Sequence, residues 1–278
     1  MKSKLKVMEY NILQGFHTKS NPAMLEHERL VAARKLVLSE EPDILVLIEA
    51  CADNISKHGI NIDYSKEFNL PHHFHGHKPN GSHHGISILS KYPFIEKEDY
   101  SIKDMQFVRI SVKLNNKLVR IDALHPHPDL NDKQKARFFK GVIRDSTENT
   151  ILIGDFNSLS RTDKHDRENL IKKVKSFPQF KDKEEKIVEE VVDDHLTFEA
   201  MDIIEKSNFM DTYRQIHKKG INGFTIPTNL SDKDKSAASR IDFIFVSKNI
   251  NIIDANIIKN NLAEIASDHY PIYAVLEI

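Results

Sequence analysis

The chain has 278 residues, with 40 Lys+Arg against 41 Asp+Glu and a single cysteine, Cys51. One cysteine excludes a disulfide scaffold and a multi-cysteine zinc site. A formal net charge of -1 excludes polyanion binding by bulk charge and leaves only a local basic patch for that purpose. The composition, 40% hydrophobic and 29% charged, is that of a soluble globular protein. Cys51 reads as a small buried hydrophobe rather than a nucleophile. No apolar run approaches the roughly 18 residues of a membrane helix. Glu9 and Asn11 interrupt any signal-peptide core behind the basic Met1 to Lys6. The sequence therefore predicts a cytoplasmic protein without membrane insertion.

Val7 to Leu13 predicts a first strand, and Asn21-Pro22 punctuates after it. Ala23 to Ser39 has a helical pattern, with Ala33, Leu36 and Val37 on one face and Glu28, Arg29 and Lys35 off it. Glu41-Pro42 stops that helix. Ile44 to Ile48 is an unbroken apolar run that suits a strand buried on both faces, and Glu49 ends it. Residues 59 to 84 read as irregular, rich in Asn, Pro, Gly and His. Ile86 to Leu89 is a short strand.

Alternation at Val108, Ile110, Val112 and Leu114 predicts a half-buried strand. It joins Leu118 to Leu124 through a two-residue turn at Asn115-Asn116. A helix over Asn131 to Arg144 and a buried strand over Thr150 to Phe156 follow. Residues 161 to 208 read as helix and loop, with a solvated charged tract from Lys181 to Glu190. Ile241 to Val246 and Ile272 to Ile278 are expected as the last two strands. No repeat or linker divides the chain, so residues 1–278 are expected to form one α/β domain, with sheets packed between helices.

Polar residues at the ends of these strands are the informative feature. Asn11 lies in the first strand, Glu49 ends the second, and His125 ends the hairpin strand. Asp155 and Asn157 close Thr150–Gly154, Asp242 lies in the Arg240–Val246 strand, and Asp268-His269 precedes the last strand. Ionisable groups beside apolar strands are costly to bury unless paired or metal-bound. So many of them, all acidic, His or Asn, point to convergence at one sheet edge. Carboxylates with an amide suit Mg²⁺ or Mn²⁺. Such a cation neutralises phosphoryl oxygens and helps generate hydroxide. An Asp beside a His holds it protonated, which suits a phosphate gaining charge. The residue types thus point to metal-assisted phosphoester hydrolysis.

The motifs Tyr10-Asn11-Ile12, Pro42 to Glu49, Gly85 to Lys91, Ala123-Leu124-His125, Gly154-Asp155-Phe156-Asn157, Arg240-Ile241-Asp242-Phe243-Ile244 and Ser267-Asp268-His269 occur in that order along the chain. With them the sequence resembles the exonuclease–endonuclease–phosphatase superfamily over almost its whole length. The resemblance implies a four-layer αββα sandwich with two central mixed β-sheets and a site at one edge of both. It implies that Glu49 is the principal metal ligand, with Asn11 and Asp268 assisting, and that the ion is Mg²⁺ or Mn²⁺ in its place. Asp155 then positions or deprotonates the attacking water, and Asn157 orients that water or a phosphate oxygen. Asp242 and His269 form an orienter–imidazole pair, and His125 contacts the phosphate or assists the leaving group. The resemblance leaves the base as either Asp155 or His269.

The chain departs from the pattern at Leu13, where some members carry an acid, and at Ile48, where many carry Gln. Arg240 reads as a structural ion-pair partner outside the catalytic set.

Two other readings stand beside this one. His125-Pro126-His127-Pro128-Asp129 also reads as H-x-H-x-D, which with the His-rich stretch predicts a zinc-dependent hydrolase. His127 on its own reads as a rim residue. The fold can also serve a non-catalytic binding module. The cluster His72, His73, His75, His77, His83 and His84 is either a second metal site, a substrate-contacting loop with His84 foremost, or simply an exposed His-rich loop. The substrate class stays open among nucleic acid, nucleotide, inositol phosphate and lipid headgroup. Neutral charge and the lack of Trp lean away from duplex DNA.

Overall fold

A computed structural model of the chain describes residues 3–18, 24–51, 62–77, 84–102, 105–177, 179–218, 223–235 and 237–278. Its strands are β1 Lys4–Asn11, β2 Ile44–Ala50, β3 His72–His77, β4 Gly85–Ser90, β5 Phe94–Ile102 and β6 Met105–Leu114, followed by β7 Lys117–Pro126, β8 Thr150–Asp155, β9 Phe209–Asp211, β10 Asp242–Ser247, β11 Asn251–Ile257 and β12 Ile272–Glu277. The helices are α1 His27–Glu40, α2 Tyr64–Glu67, α3 Asp132–Arg144, α4 Arg167–Ser176, α5 Glu185–His195, α6 Glu199–Glu205, α7 Thr212–Ile216 and α8 Asn261–Ala266.

Two six-stranded sheets result, ordered β11-β12-β1-β2-β4-β3 and β5-β6-β7-β8-β10-β9. Each is mixed. β1 runs parallel to β2 and β7 parallel to β8, and the other pairings are antiparallel. The sheets pack face to face and helices cover their outer faces. α1 and α8 lie on the first sheet, where buried Arg29 of α1 donates from Nε to Ala266 O at 2.9 Å. On the second sheet, Phe138, Phe139, Met201 and Ile204 of α3 and α6 pack on Leu152, Phe156, Phe243 and Phe245. This is the expected four-layer αββα sandwich.

Local chemistry explains the joints. Asn115 and Asn116 both take positive φ, as a two-residue hairpin turn requires, and set the register Leu114↔Lys117. Asn131 caps α3 in a reciprocal box with Gln134. Glu41 closes α1 in the left-handed conformation just before Pro42. A Cβ on Gly154 would lie 2.2 Å from Leu124 O, so the parallel approach of β7 and β8 admits only glycine there.

Several elements differ from expectation. The stretch expected to be irregular contains the edge strand β3, where His73 and His75 both bond the buried Ser87 hydroxyl of β4, at 3.0 and 2.8 Å. β5 and β11 were not predicted, and β11 lies between the two strands expected to be last. Both are edge strands of weak alternation, placed by pairing to β6 and β12. The helix expected from Ala23 begins at His27, because Leu25 bridges back to His17. Arg29, expected off the apolar face of that helix, is buried. β6 is buried on both faces rather than half-buried. Within the charged tract, Val188 is buried against Ile171 and Val192, which joins α5 to α4.

Candidate active site

Alternate residues of a strand face the same side. Along the second sheet, Ile121 and Ala123, Ile151 and Ile153, and Ile244 and Val246 belong to the core between the sheets. The next positions in the same phase are His125, Asp155 and Asp242. On the first sheet Leu5 and Val7 lead to Glu9 and Asn11 in the same way. The site is thus the top layer of the inter-sheet core, where the apolar residues give way to polar ones.

The two sheets meet through a hydrogen bond. Asn11 Nδ2 donates to Asp155 Oδ2 at 3.2 Å, while Asp155 Oδ1 accepts the Asn157 backbone N–H at 2.8 Å. Asp155 Oδ2 lies 3.9 Å from His125 Nε2. The His269 Nδ1 sits 2.9 Å from Asp242 Oδ2 and 3.1 Å from Oδ1. Asn11, His125, Asp155, Asp242 and His269 are all buried, whereas Glu49, Asn157 and Asp268 are half-buried. The last three are where a ligand has access.

The loops are held firmly. Leu13, Gln14, Gly15 and Phe16 all take positive φ, an uncommon run that brings Gln14 N–H to Glu49 Oε2 at 2.9 Å. The Arg29 guanidinium donates to Ile12 O at 2.7 Å and Leu13 O at 2.8 Å and fixes the same turn. Leu13, at the position where an acid was considered, gives its N–H to Asn11 Oδ1 at 3.1 Å. Asn157 has φ of 45°, with Nδ2 on Pro126 O at 3.0 Å. The buried Lys135 donates to Asn157 O at 2.5 Å and Pro128 O at 3.3 Å. Ser267 Oγ donates to Asn11 O at 2.6 Å, tying the Asp268-His269 segment to β1. The buried Arg240 guanidinium grips Asp211 (2.6 and 3.0 Å) and Asp163 (3.1 and 3.2 Å) beside Asp242.

Burial and the neighbouring Asp242 push the Asp155 carboxyl up to about 7, against the opposing pull of His269. Burial alone would disfavour the His269 imidazolium, but the charge and hydrogen bond of Asp242 raise its pKa well above the ordinary value. His269 therefore carries its proton at neutral pH.

Glu9 was missed by the sequence reading. It is fully buried, neither carboxyl oxygen has a hydrogen-bond partner among the described residues, and burial with Asp242 raises its pKa strongly. Its position two residues before Asn11 on an inward strand face was the available signal. Lys135 was also missed. Burial pushes its ammonium down to about 8, and nothing in a helical Lys pattern announces that.

Among the described residues, Asp155, Asp242 and His269 present ligand atoms within 4.8 Å of one another. No described residue of the His-rich stretch joins such a group, nor does His127, whose ring faces Asp129 of its own loop at 3.8 Å. Cys51 is buried as expected, with Sγ 3.1 Å from His84 Nδ1. His83 lies outside the described residues. The carboxylates of Glu49 and Asp268 and the amide oxygen of Asn11 are hard donors that fit a divalent cation such as Mg²⁺. Glu49 has one oxygen on Gln14 and the other without a hydrogen bond among the described residues.

Residues 8–269 match the model of the Endonuclease/Exonuclease/phosphatase family, and the chain belongs to that family. Hydrolysis of phosphate esters is the chemistry its members share. No curated protein matches the chain. Among solved structures, an endonuclease/exonuclease/phosphatase from Beutenbergia cavernae DSM 12333 is similar at TM-score 0.67 and 17% identity, over 99% of this chain and 72% of that one. One from Bacteroides vulgatus is similar at TM-score 0.66 and 13% identity, over all of both chains. D. rerio TDP2 complexed with single strand DNA product is similar at TM-score 0.63 and 17% identity, over 99% of each chain. At these identities the likeness is one of fold. Among the described residues no helix is long and apolar enough to cross a membrane.

Proposed function

We propose that residues 1–278 act as one domain, a cytoplasmic Mg²⁺-dependent phosphoester hydrolase in which Mn²⁺ can replace Mg²⁺. The observation that carries the reading is Asp155, set between Asn11, His125 and the His269–Asp242 pair at the edge of both sheets. Glu49, Asn11 and Asp268 would hold the cation. When bound, it neutralises phosphoryl oxygens and lowers the pKa of water.

The chain's own residues supply the rest. Asp155 takes the proton of the attacking water, because a carboxyl near 7 is poised for that task while His269 is already protonated. Asn157, fixed through Pro126 and Lys135, orients that water or a phosphate oxygen. The His269 imidazolium, held by Asp242, faces the charge that grows on the phosphoryl oxygens. His125 contacts the phosphate or aids the leaving group. A small or single-stranded substrate suits the neutral charge and the absence of Trp better than duplex DNA does. The single-stranded DNA product in a structurally similar protein is in keeping with that choice.

The test is hydrolysis of bis(p-nitrophenyl) phosphate by EDTA-stripped protein with Mg²⁺ or Mn²⁺ restored. Turnover returns with metal and is lost in Asp155→Ala. Activity that survives EDTA and dialysis and follows Zn²⁺ would favour the zinc reading. Folded protein without turnover under any metal would favour a binding module.

A further inference from the structure

The helical pair α4 and α5 contributes nothing to the sheets, yet it walls a chamber beside the site. That chamber has a volume of about 150 Å³, and Asn157 is one of its walls. Leu159, Leu170, Val174, Phe177 and Ile241 make most of the remaining lining apolar. Its potentially charged members are silenced. Lys173 is paired with Asp232 at 2.9 Å. His195 is kept neutral by burial and by Lys135, its pKa pushed down to about 4. Lys173 thus already has its counter-ion, and the rest of the described lining offers no cation to a charged headgroup or a second phosphate.

An apolar cavity of about this size holds one benzene-sized ring. A wider cavity of about 720 Å³ continues outward past Val174, Phe177 and His195, and its lining includes Asp129, Glu190 and Asp194. These acids repel a polyanion leaving by that route, so a nucleic-acid strand does not run through it.

We infer that this chamber receives one uncharged six-membered ring carried by the phosphoester substrate, with Asn157 dividing ring from phosphate. The inference rests on the hydrolase reading and sets the substrate class within it. Such a ring arises from an aryl ester or from a pyrimidine nucleoside.

The experiment compares methyl, phenyl and thymidine-5′ 2,2,2-trifluoroethyl phosphates, which share one ring-free leaving group and are each read as trifluoroethanol release by fluorine NMR, in wild type and in Val174→Phe, with Leu170→Phe as a second filling variant. Burying a ring is worth roughly a factor of 10 to 200 in kcat/KM. A ring-bearing ester should therefore exceed the methyl ester at least tenfold, and the filling variants should cut that ratio about tenfold. A larger gain for the phenyl ester identifies an aryl substrate, and a larger gain for the thymidine ester a nucleoside. Equal kcat/KM for methyl and ring-bearing esters overturns the inference, as does a ratio indifferent to both variants.

Binding of 4-fluorophenyl phosphate, followed by fluorine NMR, judges the chamber without turnover. If no ester is hydrolysed under any metal, the hydrolase reading fails by itself. Tenfold weaker binding in Val174→Phe still supports a ring chamber, and equal binding in wild type and variant overturns it.

Discussion

Asp155→Asn separates the catalytic role proposed for this carboxyl from its cost to the fold. Raising a carboxyl from 3.8 to about 7 disfavours its ionised form by about 4 kcal/mol, at roughly 1.36 kcal/mol per pH unit. The folded state binds the proton more tightly than the unfolded chain. Wild-type stability therefore falls as pH rises from 3.8 to 7, and the full penalty is present above 7. Asparagine removes that penalty but offers one acceptor oxygen where the carboxylate offers two. Asn11 Nδ2 and the Asn157 N–H use separate oxygens, so one of these donors loses its partner at about 1–3 kcal/mol. Without metal, the variant should be more stable than wild type by about 1–3 kcal/mol at pH 8, and that advantage should vanish near pH 4, where wild type holds the neutral acid with one carbonyl acceptor of its own. Urea unfolding in EDTA at both pH values reads the change. With Mg²⁺ restored, kcat should fall by roughly 10²–10⁴ if Asp155 takes the proton. A stability difference of the same size at both pH values would refute the electrostatic argument. Activity within tenfold of wild type would refute the base.

Asp242→Asn should take away the charge that keeps His269 protonated. The imidazolium would then be lost at lower pH, and the alkaline limb of the kcat–pH profile should move down; an unmoved limb would separate His269 protonation from catalysis. Arg240→Met leaves the buried Asp211 without its guanidinium, while Asp163 keeps that of Arg214, and should cost about 3–5 kcal/mol in urea unfolding. Arg161→Ala, which breaks an exposed pair with Asp202, should cost less than about 1 kcal/mol in the same assay. Glu9→Gln should change stability by less than about 1 kcal/mol at pH 7, since burial already favours the uncharged carboxyl and neither oxygen has a hydrogen-bond partner among the described residues. A loss above about 2 kcal/mol would show that its charge, or an unseen partner, matters.

The strands that carry the site were legible because they are buried twice over. Ile44 to Ile48 and Ile151 to Gly154 carry no polar side chain, and such runs leave the Glu49 and Asp155 that follow them conspicuous. The turn at Asn115-Asn116 was legible because only residues tolerant of positive φ serve there. β3, β5 and β11 were not legible. Each lies toward a sheet edge, where a neighbour's ladder rather than its own pattern decides the conformation. A stretch such as His72-His73-Phe74-His75 has no strand pattern of its own until β4 offers its free edge. Arg29 was misplaced for a related reason: helix periodicity assigns charge to solvent, whereas here a guanidinium is needed indoors to hold two loop carbonyls.

The same geometry explains why the site residues are scattered in sequence and compact in space. Each strand supplies one or two inward positions at its end, so no segment holds more than a few of them. What unites them is phase: a polar residue two places beyond an inward apolar one. Glu9 obeys that rule, two places beyond Val7, with Asn11 the next position in the same phase, and Glu9 went unnoticed because it sits within a strand instead of at its end. Applied to Met8-Glu9-Tyr10-Asn11, phase places Glu9 in the inter-sheet core and Tyr10 against α1, on the side of Arg29. Glu9 is thus a second, deeper tier of the polar layer. Burial and the neighbouring Asp242 raise its pKa well above the usual carboxylate range, which favours its uncharged form beneath the Asp155 and His269 side chains. An ionised carboxylate at Glu9 would add a further negative charge beside Asp155 and Asp242 and push the Asp155 carboxyl still higher.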